Sequence, residues 1–466
     1  MKPYTEIADR IALRIATGEL PLGARLPPQR DFAHTEGIAV STASRVYEEL
    51  RRRGLVVGEV GRGTFVANRF RPLDPALQEP SGRGIDLDIV FRLSAEGRDR
   101  IAASTARFFR QGLEQSAVAP SSASTEPSVA SVFAETVGST EHPVSPNSLV
   151  LVGNGKQAIS TCLAALAPRG GRIGVETMTY PYVSAAARQL GIDLVPLSMD
   201  AEGVTPVALD RAAQTGLQGV YLQPTLQSPL VLTMSEDRKQ RIADVLKRHR
   251  LSAIEDRIYS FLKPNKPLSS YAPEHVIRID SLSKRLMPGL SLGVIAPPEP
   301  MADAIRRAAR SGGWMAQSLA VQLARHWIED GTVASVEKIK RQEARQMFDV
   351  ARRTLAGLYF SGAPEALHGW LTLPKGWRSE AFAAACAEIG IAVAPGSAFA
   401  VVPGAAPSGV RIAFSANDLT IWTHALREVA RIAKSAPTEL AQVFSPASVV
   451  ASTAAERRPR SDRRPR

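Results

Sequence analysis

The sequence predicts an α/β protein with a small N-terminal winged helix-turn-helix and a large domain built on a mainly parallel sheet. Three observations predict this fold. The chain has 466 residues, which is too many for one ordinary hydrophobic core. Three short helical patterns and a glycine-tipped hairpin pattern fill the first 67 residues. Beyond residue 86, short apolar runs alternate with helical patterns as far as about residue 435.

Composition excludes several classes of protein. Hydrophobic residues make up 44% of the chain and charged residues 22%, as in globular proteins. No apolar run reaches about 18 residues and the N-terminus is charged, so neither a membrane partner nor a signal peptide is expected. The two cysteines, Cys162 and Cys386, predict a reduced, cytoplasmic protein without disulfides. No cluster of His, Cys and acids has metal-ligand spacing, so no metal site is expected.

The net charge of +12 permits nucleic-acid binding without demonstrating it. The last eleven residues hold six arginines against two acids, so the C-terminus supplies a third of that charge. Residues 1–70 hold eleven basic residues against eight acidic ones and are only weakly basic. The function therefore has to be inferred from the sequence motifs and not from the net charge.

The N-terminal part of the chain has the sequence patterns of three helices. Apolar residues at i, i+4 spacing predict a helix over residues 4–17. A second helix is predicted after Pro27 and Pro28, since proline fits a first helical turn. Ser41 and Thr42 are candidate caps for a third helix.

A hairpin pattern follows these helices. The third helix is expected to end near Arg53, and two strands, 55–60 and 64–67, flank Gly61-Arg-Gly63. In a winged helix-turn-helix, the third helix enters the major groove of double-stranded DNA and the hairpin tip approaches the backbone. The residues predicted to contact DNA are cationic, small and polar, or glycine: Arg30, Ser41, Thr42, Ser44, Arg45, Arg62 and Gly63.

Changes of composition divide the chain into four parts. Residues 1–68 form the predicted DNA-binding domain, and residues 69–85, rich in proline, glycine and charge, form a linker. Residues 86–435 form the large domain, and residues 436–466 are expected to be a disordered basic tail. Seven apolar runs of the large domain are strand candidates: 149–152, 172–175, 193–197, 219–222, 252–255, 276–279 and 293–296.

Lys284, just after a predicted strand, is the candidate for covalent chemistry. A buried lysine with a lowered pKa presents a free amine, which can form a Schiff base with an aldehyde cofactor. The hydroxyls of Ser281 and Ser283 can donate to a phosphate. Asp256 and Tyr259 end another predicted strand, where a carboxylate can keep a pyridine nitrogen protonated and a phenol can bond the ring's phenolic oxygen.

Further polar groups surround this candidate cofactor site. Gly155, Lys156 and Gln157 open a predicted helix whose backbone N–H groups form a phosphate cradle. The spacing is not that of a P-loop. Tyr180 is placed to stack on a flat ring, and the planar fork of Arg411 suits a substrate or effector carboxylate.

Three N-terminal segments resemble the GntR-type winged helix in order and spacing. They are residues 26–33 (LPPQRDFA), 41–50 (STASRVYEEL) and 61–66 (GRGTFV). The order of site residues in the large domain resembles the pyridoxal-phosphate-dependent aminotransferases of fold type I. The whole resembles the MocR subfamily of GntR-type transcription regulators, over about residues 5–67 and 145–435.

The resemblance implies a role for each site residue. Lys284 would carry pyridoxal 5'-phosphate as a Schiff base, Asp256 would hold the pyridine nitrogen, and Tyr259 would bond the phenolic oxygen. Tyr180 would stack on the ring, and Arg411 would hold a carboxylate. The resemblance also implies a homodimeric regulator that binds a DNA operator and senses the cofactor, together with an amino acid or amine effector.

The sequence departs from this family at several positions. Ser291 stands where the family has a phosphate-binding arginine, and Ser228 where it has an asparagine. Arg285 would replace the lost cation only if its side chain turned towards the phosphate. Residues 116–130 are rich in serine and alanine where the family has a Tyr/Pro–Gly segment. Residues 289–293 match the G-x-S-x-G hydrolase motif, but a strand follows where that motif requires a helix.

Three functions remain open on the sequence. The favoured one is a regulator that senses pyridoxal phosphate, in which a dedicated enzymatic activity is not expected. The second is an active aminotransferase that carries a fused DNA-binding domain. The third is a regulator whose cofactor site has decayed into a dimerisation scaffold.

Overall fold

The computed structural model describes most of the two predicted domains. The described residues are 3–16, 19–20, 24–52, 55–59, 63–66, 84–120, 126–138, 141–402, 404–415 and 418–435. Residues 69–83 of the predicted linker and the predicted basic tail lie outside them.

The N-terminal domain is a winged helix-turn-helix, as predicted. Its two outer strands pair with β3 to form a three-stranded sheet of order β1-β3-β2. Its elements are α1 (Pro3–Ala16), β1 (Arg25–Leu26), α2 (Gln29–Glu36), α3 (Val40–Arg52), β2 (Val56–Glu59) and β3 (Gly63–Val66).

One aromatic pair organises the core of this domain. The rings of Phe32 on α2 and Tyr47 on α3 meet edge to face, with centroids 5.2 Å apart. The Tyr47 hydroxyl donates to the carbonyl of Pro27 at 2.6 Å, which fixes α3 against the start of α2. The sequence had suggested Ser41 and Thr42 as caps of the third helix, and this prediction is wrong. The helix begins at Val40, so both lie inside its first turn.

A strand and three helices lead into the large domain. They are β4 (Ile85–Leu87), α4 (Ala95–Arg110), α5 (Gln115–Val118) and α6 (Pro127–Val137). Strand β4 does not join the main sheet, because it pairs in parallel with a strand close to the C-terminus. The segment just after β4 therefore lies between the two sheets of the domain.

The main sheet has seven strands in the order β5-β13-β12-β11-β10-β6-β7. All neighbours are parallel except β13, which is antiparallel to both β12 and β5. All seven predicted strands are present, with ends shifted by at most two residues. The elements from β5 to α14 are β5 (Val150–Val152), α7 (Gly155–Leu166), β6 (Arg172–Glu176), α8 (Pro181–Leu190), β7 (Asp193–Leu197), β8 (Met199–Asp200), β9 (Gly203–Val204), α9 (Pro206–Ala213), β10 (Gly219–Leu222), α10 (Glu236–His249), β11 (Ser252–Asp256), β12 (Val276–Ser281), α11 (Leu282–Arg285), β13 (Gly293–Ala296), α12 (Ala302–Ser311), α13 (Ser318–Glu329) and α14 (Thr332–Thr354).

Helices cover both faces of this sheet. Side chains alternate between faces along a strand. Tyr221 on β10 accordingly packs into one apolar cluster with α7, α8 and α12, whereas Val220 and Leu222 pack into another with α9 and α10. The strands are apolar on both sides for this reason, as parallel sheets require.

A smaller five-stranded sheet closes the C-terminal part, in the order β14-β15-β17-β16-β4. Helices α14, α15 and α16 pack on it around the buried Trp422 and Phe414. Its elements are β14 (Tyr359–Ser361), β15 (His368–Thr372), α15 (Ser379–Glu388), β16 (Ile391–Pro395), β17 (Gly409–Ala413) and α16 (Leu419–Lys434). Arg411 on β17 thus belongs to a different sheet from Lys284 and Asp256.

We expect Gly293→Ala to destabilise the protein. A Cβ at Gly293 would lie 2.4 Å from the carbonyl oxygen of Asn154, and this backbone atom cannot rotate away. Such overpacking typically costs about 1–3 kcal/mol, which urea denaturation of the cofactor-free protein would measure. Gly289→Ala, where a Cβ meets no atom within 4 Å, is the matched control. Equal unfolding midpoints for both variants would contradict the packing described between β13 and α7.

Candidate functional site

The candidate site lies at the carboxyl ends of the central strands, where open α/β sheets bind their ligands. Glu176 ends β6, Asp256 ends β11 and Ser281 ends β12. Parallel strands bring these residues to one edge although they are far apart in sequence. The first turn of α7 and the short helix α11, which carries Lys284, complete that edge.

Lys284 has the environment of a reactive amine. Its side chain is half-buried, and its Nζ donates to the carbonyl of Val90 at 2.5 Å. Burial, with smaller contributions from the positive charges of Arg411 and Lys156, lowers the pKa of Lys284 to about 8. A much larger fraction of this amine is therefore uncharged near neutral pH than for a lysine in water.

Asp256 ends β11, the strand that pairs with β12, and the end of β12 leads into the helix that carries Lys284. Asp256 is buried, and its Oδ2 accepts a hydrogen bond from the Tyr221 hydroxyl at 2.5 Å. Its Oδ1 accepts from the backbone N–H of Ile258 at 3.0 Å. Burial raises the pKa of Asp256 to about 6, although both hydrogen bonds oppose the rise. Near neutral pH this carboxylate is ready to pair with a cationic ring nitrogen.

A polar cradle forms where α7 approaches the end of β12. Asn154 caps α7 by accepting from the backbone N–H of Gln157 at 2.9 Å. A Cβ at Gly155 would lie 3.2 Å from the Cβ of Ser281, so glycine allows the helix start to come this close. The Ser281 hydroxyl lies 3.0 Å from that of Ser283 and 3.4 Å from that of Ser291. Helix N–H groups and three hydroxyls thus converge on one place.

Two cations beside the cradle behave differently. Lys156 is exposed, and its Nζ lies 5.3 Å from the ring centroid of Tyr182. Arg285 is buried and forms ion pairs with Asp280, at 2.6 Å, and with Glu337. Arg285 therefore points away from the cradle and does not replace the cation missing at position 291.

Aromatic side chains flank the site. Tyr180 is half-buried and precedes α8, and burial raises its pKa well above the usual value. Tyr259 is buried, its ring lies 5.5 Å from that of His368, and burial raises its pKa to about 12. Burial lowers the pKa of His368 to about 3. All three side chains are therefore uncharged near neutral pH.

Arg411 reaches the site from the small sheet, and its contacts there were not predicted. Its Nη2 donates to the backbone carbonyl of Asp88 and to the Asp88 carboxylate, the latter at 3.0 Å. Its Nη1 donates to the Ser228 hydroxyl at 3.2 Å. Burial raises the pKa of Asp88, whereas Arg411 opposes that rise. The short segment 88–90 therefore contacts both Arg411 and Lys284.

Sequence reasoning missed three residues of this site. Tyr221 lies inside an apolar strand and Asp88 just after one, so neither carries a motif. Lys340 lies in the highly charged helix α14, yet it is buried and donates to the carbonyls of Lys284 and Leu286, each at 2.7 Å. Lys340 thereby anchors the turn that carries Lys284.

Ser291, in the segment that matches the hydrolase motif, does not lie on the strand-to-helix turn of a hydrolase nucleophile. Ser291 follows a short 3-10 turn, Pro288–Leu290, and precedes strand β13. A nucleophile elbow needs a strand before and a helix after the serine. The structure therefore supports the rejection of that motif.

The residues that α3 exposes suit a DNA-binding surface. Val46, Tyr47 and Leu50 are buried on one side of the helix, whereas Ser41 and Arg45 are exposed on the other. Of the other predicted contacts, Arg30 is exposed and Thr42 and Ser44 are half-buried. Arg62 lies outside the described residues.

The wing begins beside a cation that the sequence analysis did not select. Gly63 opens β3 with φ +122°, and a Cβ there would lie 2.8 Å from Nε of Arg25. Arg25 is exposed on β1 and is a further candidate for phosphate contact. Phe65, two residues on, has its ring 5.0 Å from the guanidinium of Arg378 in the large domain.

The donor set fits pyridoxal phosphate. The cradle offers neutral donors for a phosphate, Asp256 offers a carboxylate for a pyridine nitrogen, and Lys284 offers an amine for an aldehyde. The absence of a side chain at Gly155 allows the first turn of α7 to approach Ser281 closely. In the described part of the chain, no group of three His, Cys, Asp or Glu could hold a metal ion.

Two further findings concern the described part of the chain. Among the described residues, no helix is long and apolar enough to cross a bilayer. Both cysteines, Cys162 and Cys386, are free and buried.

Comparison with known proteins supports both halves of this architecture. Residues 3–66 match the family of bacterial regulatory proteins named gntR. The HTH-type transcriptional regulator YdeF of Bacillus subtilis is 27% identical over 428 residues, covering 89% of this chain and 90% of YdeF. The aminotransferase tdiD of Emericella nidulans is 27% identical over 310 residues, covering 60% of this chain and 71% of that protein.

A solved structure supports the fold of the large domain. An archaeal alanine:glyoxylate aminotransferase superposes with a TM-score of 0.68 at 20% sequence identity, covering 76% of this chain and 91% of its own. Fold and comparisons define a helix-turn-helix regulator with an aminotransferase-like domain of fold type I. The chain therefore combines a GntR-type helix-turn-helix domain with an aminotransferase-like domain, which is consistent with a regulator of the MocR type.

We expect Asp256 to make stability depend on pH. Its folded-state pKa of about 6 exceeds the ordinary aspartate pKa of 3.8, so the native state binds the proton more tightly than the unfolded chain. This contribution to the unfolding free energy is complete below about pH 4 and is lost as the pH rises through about 6. Urea denaturation of cofactor-free wild type and Asp256→Asn, between pH 4 and pH 8, measures it. The difference between the two proteins should change across this range, and a constant difference would contradict the assignment.

Proposed function

We propose that the protein is a transcription regulator that binds double-stranded DNA through its N-terminal domain and pyridoxal phosphate through its large domain. The large domain acts as the sensor, and an amino acid or amine is its effector. The observation that carries this proposal is the half-buried amine of Lys284, with a pKa of about 8, on the short helix that follows β12, next to the strand that Asp256 ends.

Each part of the site has a task in cofactor binding. When bound, pyridoxal phosphate supplies an aldehyde that condenses with primary amines and a ring that withdraws electrons from them. Lys284 would present its amine, which is uncharged in a larger fraction than that of a lysine in water, and ionised Asp256 would hold a proton on the ring nitrogen. The first turn of α7 and the hydroxyls of Ser281, Ser283 and Ser291 would bind the phosphate. Because these donors are neutral, binding is expected to be weaker than with an arginine at position 291.

The same amine connects the cofactor site to the rest of the chain. Lys284 donates to the carbonyl of Val90, so a ligand that engages this amine would alter that contact. Val90 follows β4, and residues 67–83 lead from β4 back to the DNA-binding domain. Regulation then requires that the ligand bind two arrangements of the chain with different affinity.

We further propose that the protein acts as a homodimer. Helix-turn-helix dimers bind two half-sites, so that two-fold symmetric operators match their symmetry. The aminotransferase-like fold of the large domain supports this assembly.

We expect Lys284→Ala to abolish the visible absorbance change that pyridoxal phosphate gives with the wild-type protein, because no other amine occupies this position. The measurement is a titration of purified, full-length protein with the cofactor, followed by visible absorbance. Lys338→Ala, which removes an exposed lysine of α14, is the matched control and should behave as wild type.

Three outcomes separate the alternatives. A spectrum unchanged by Lys284→Ala would refute the role of this lysine. No spectral change in the wild type would leave the large domain as a scaffold. Sustained amino transfer at ordinary enzyme rates, with an amino acid and a keto acid added, would make the protein an aminotransferase.

We expect Arg45→Ala to weaken DNA binding. Each lost phosphate contact should reduce the slope of log affinity against log salt by about 1, and a lost base contact should cost about 1–3 kcal/mol. The probe is duplex DNA that the protein itself selects from a random-sequence pool, and fluorescence anisotropy measures the affinity at several salt concentrations. Arg345→Ala, which removes an exposed arginine of α14, controls for net charge. Equal effects of the two variants would argue against α3 as the recognition helix.

A further inference from the structure

Arg411, the predicted carboxylate-binding residue, already holds a carboxylate from its own chain. The Asp88 carboxylate accepts from Nη2 at 3.0 Å, and the backbone carbonyl of Asp88 accepts from the same nitrogen. The two side chains form an ion pair that is largely withdrawn from water, with exposed fractions of 10% for Arg411 and 25% for Asp88.

The donors of Arg411 decide what else it can bind. A guanidinium carries five N–H groups, and a carboxylate is gripped through two parallel ones. The side-on grip uses Nε and Nη2, and the end-on grip uses Nη1 and Nη2. Both N–H groups of Nη2 are used by Asp88, and Nη1 also donates to Ser228. A ligand carboxylate therefore cannot take either bidentate position while Asp88 stays in place.

Asp88 is held in place by its surroundings. Its N–H and that of Ile89 donate to Oδ1 of Asp86, at 2.8 and 2.9 Å, which fixes the turn after β4. Strand β4 itself pairs with β16 in the small sheet. On the other side of Asp88, the carbonyl of Val90 accepts from Lys284. Removing Asp88 from Arg411 would disturb a turn that is anchored at both ends.

The electrostatics of the ion pair also disfavour the binding of a ligand carboxylate. Asp88 neutralises the positive charge that would attract a ligand carboxylate, and it repels such a group at short range. A ligand without this carboxylate meets no such penalty, and it leaves the pair between Asp88 and Arg411 intact.

We propose that Asp88 determines the specificity of this site, and that its ligand is a primary amine without a carboxylate on the carbon that bears the nitrogen. The inference rests on the proposed function, because the amine is recognised as a condensation partner of the bound cofactor. The proposed function leaves an amino acid or an amine as the effector, and this inference restricts the effector to an amine.

Two stable conjugates test the proposal without any turnover. N-(5'-phosphopyridoxyl)-L-leucine and N-(5'-phosphopyridoxyl)-3-methylbutylamine differ only in the α-carboxylate. Calorimetry with the cofactor-free, full-length protein gives the affinity of each. We expect the amine conjugate to bind at least about tenfold more tightly, as for the loss of one charge-assisted contact.

Asp88→Asn should shift the affinity ratio towards the leucine conjugate by about tenfold or more, since Arg411 then lacks its counter-charge. Asp88→Ala should shift it in the same direction. Asp99→Asn, at an exposed position of α4, is the control and should leave the ratio unchanged.

The outcomes separate this proposal from the proposed function. Equal or tighter binding of the leucine conjugate by wild type would overturn the specificity proposal and leave the cofactor site standing. An unchanged ratio in both Asp88 variants would also overturn the role of Asp88. Binding of neither conjugate by wild type would refute the cofactor site and, with it, both proposals.

Discussion

The candidate site of the large domain depends on one physical constraint, which is the burial of the Lys284 amine. A charged ammonium is costly to bury, and this cost is what lowers the pKa of Lys284. The amine is held by a hydrogen bond to the carbonyl of Val90. The parallel sheet places the ends of β11, which Asp256 ends, and β12 side by side, with the N–H groups of α7 across from them.

The support of Lys284 extends well beyond the atoms that a ligand would touch. Arg285, the next residue, is buried between Asp280 and Glu337, so it fixes α11 to both β12 and α14. Lys340 donates to two carbonyls of the same turn, one of them that of Lys284. Buried charges are costly unless they are paired or hydrogen-bonded, and here their bonding positions the turn that carries the reactive amine.

Segment 88–90 contacts two cations of the site, Lys284 and Arg411. It follows β4, the strand by which the chain enters the small sheet. Lys284 lies at the carboxyl end of the large sheet and Arg411 on the small sheet, so this segment contacts side chains from both sheets' ends of the site. It is also the described part of the large domain that follows the connection to the DNA-binding domain. A ligand bound here would act on the stretch of chain that leads to the winged helix.

The sequence by itself determined the two-domain organisation, the seven central strands and the identity of Lys284, Asp256 and Arg411 as site candidates. It could do so because these features are local: hydrophobic period, turn residues and short motifs are written in neighbouring residues. Only the tertiary structure decided which partners those candidates have. Asp88 pairs with Arg411 across 323 positions, Lys340 reaches Lys284 across 56, and Arg285 turns away from the cradle. Such pairings depend on which strands and helices become neighbours, and no local pattern records that choice.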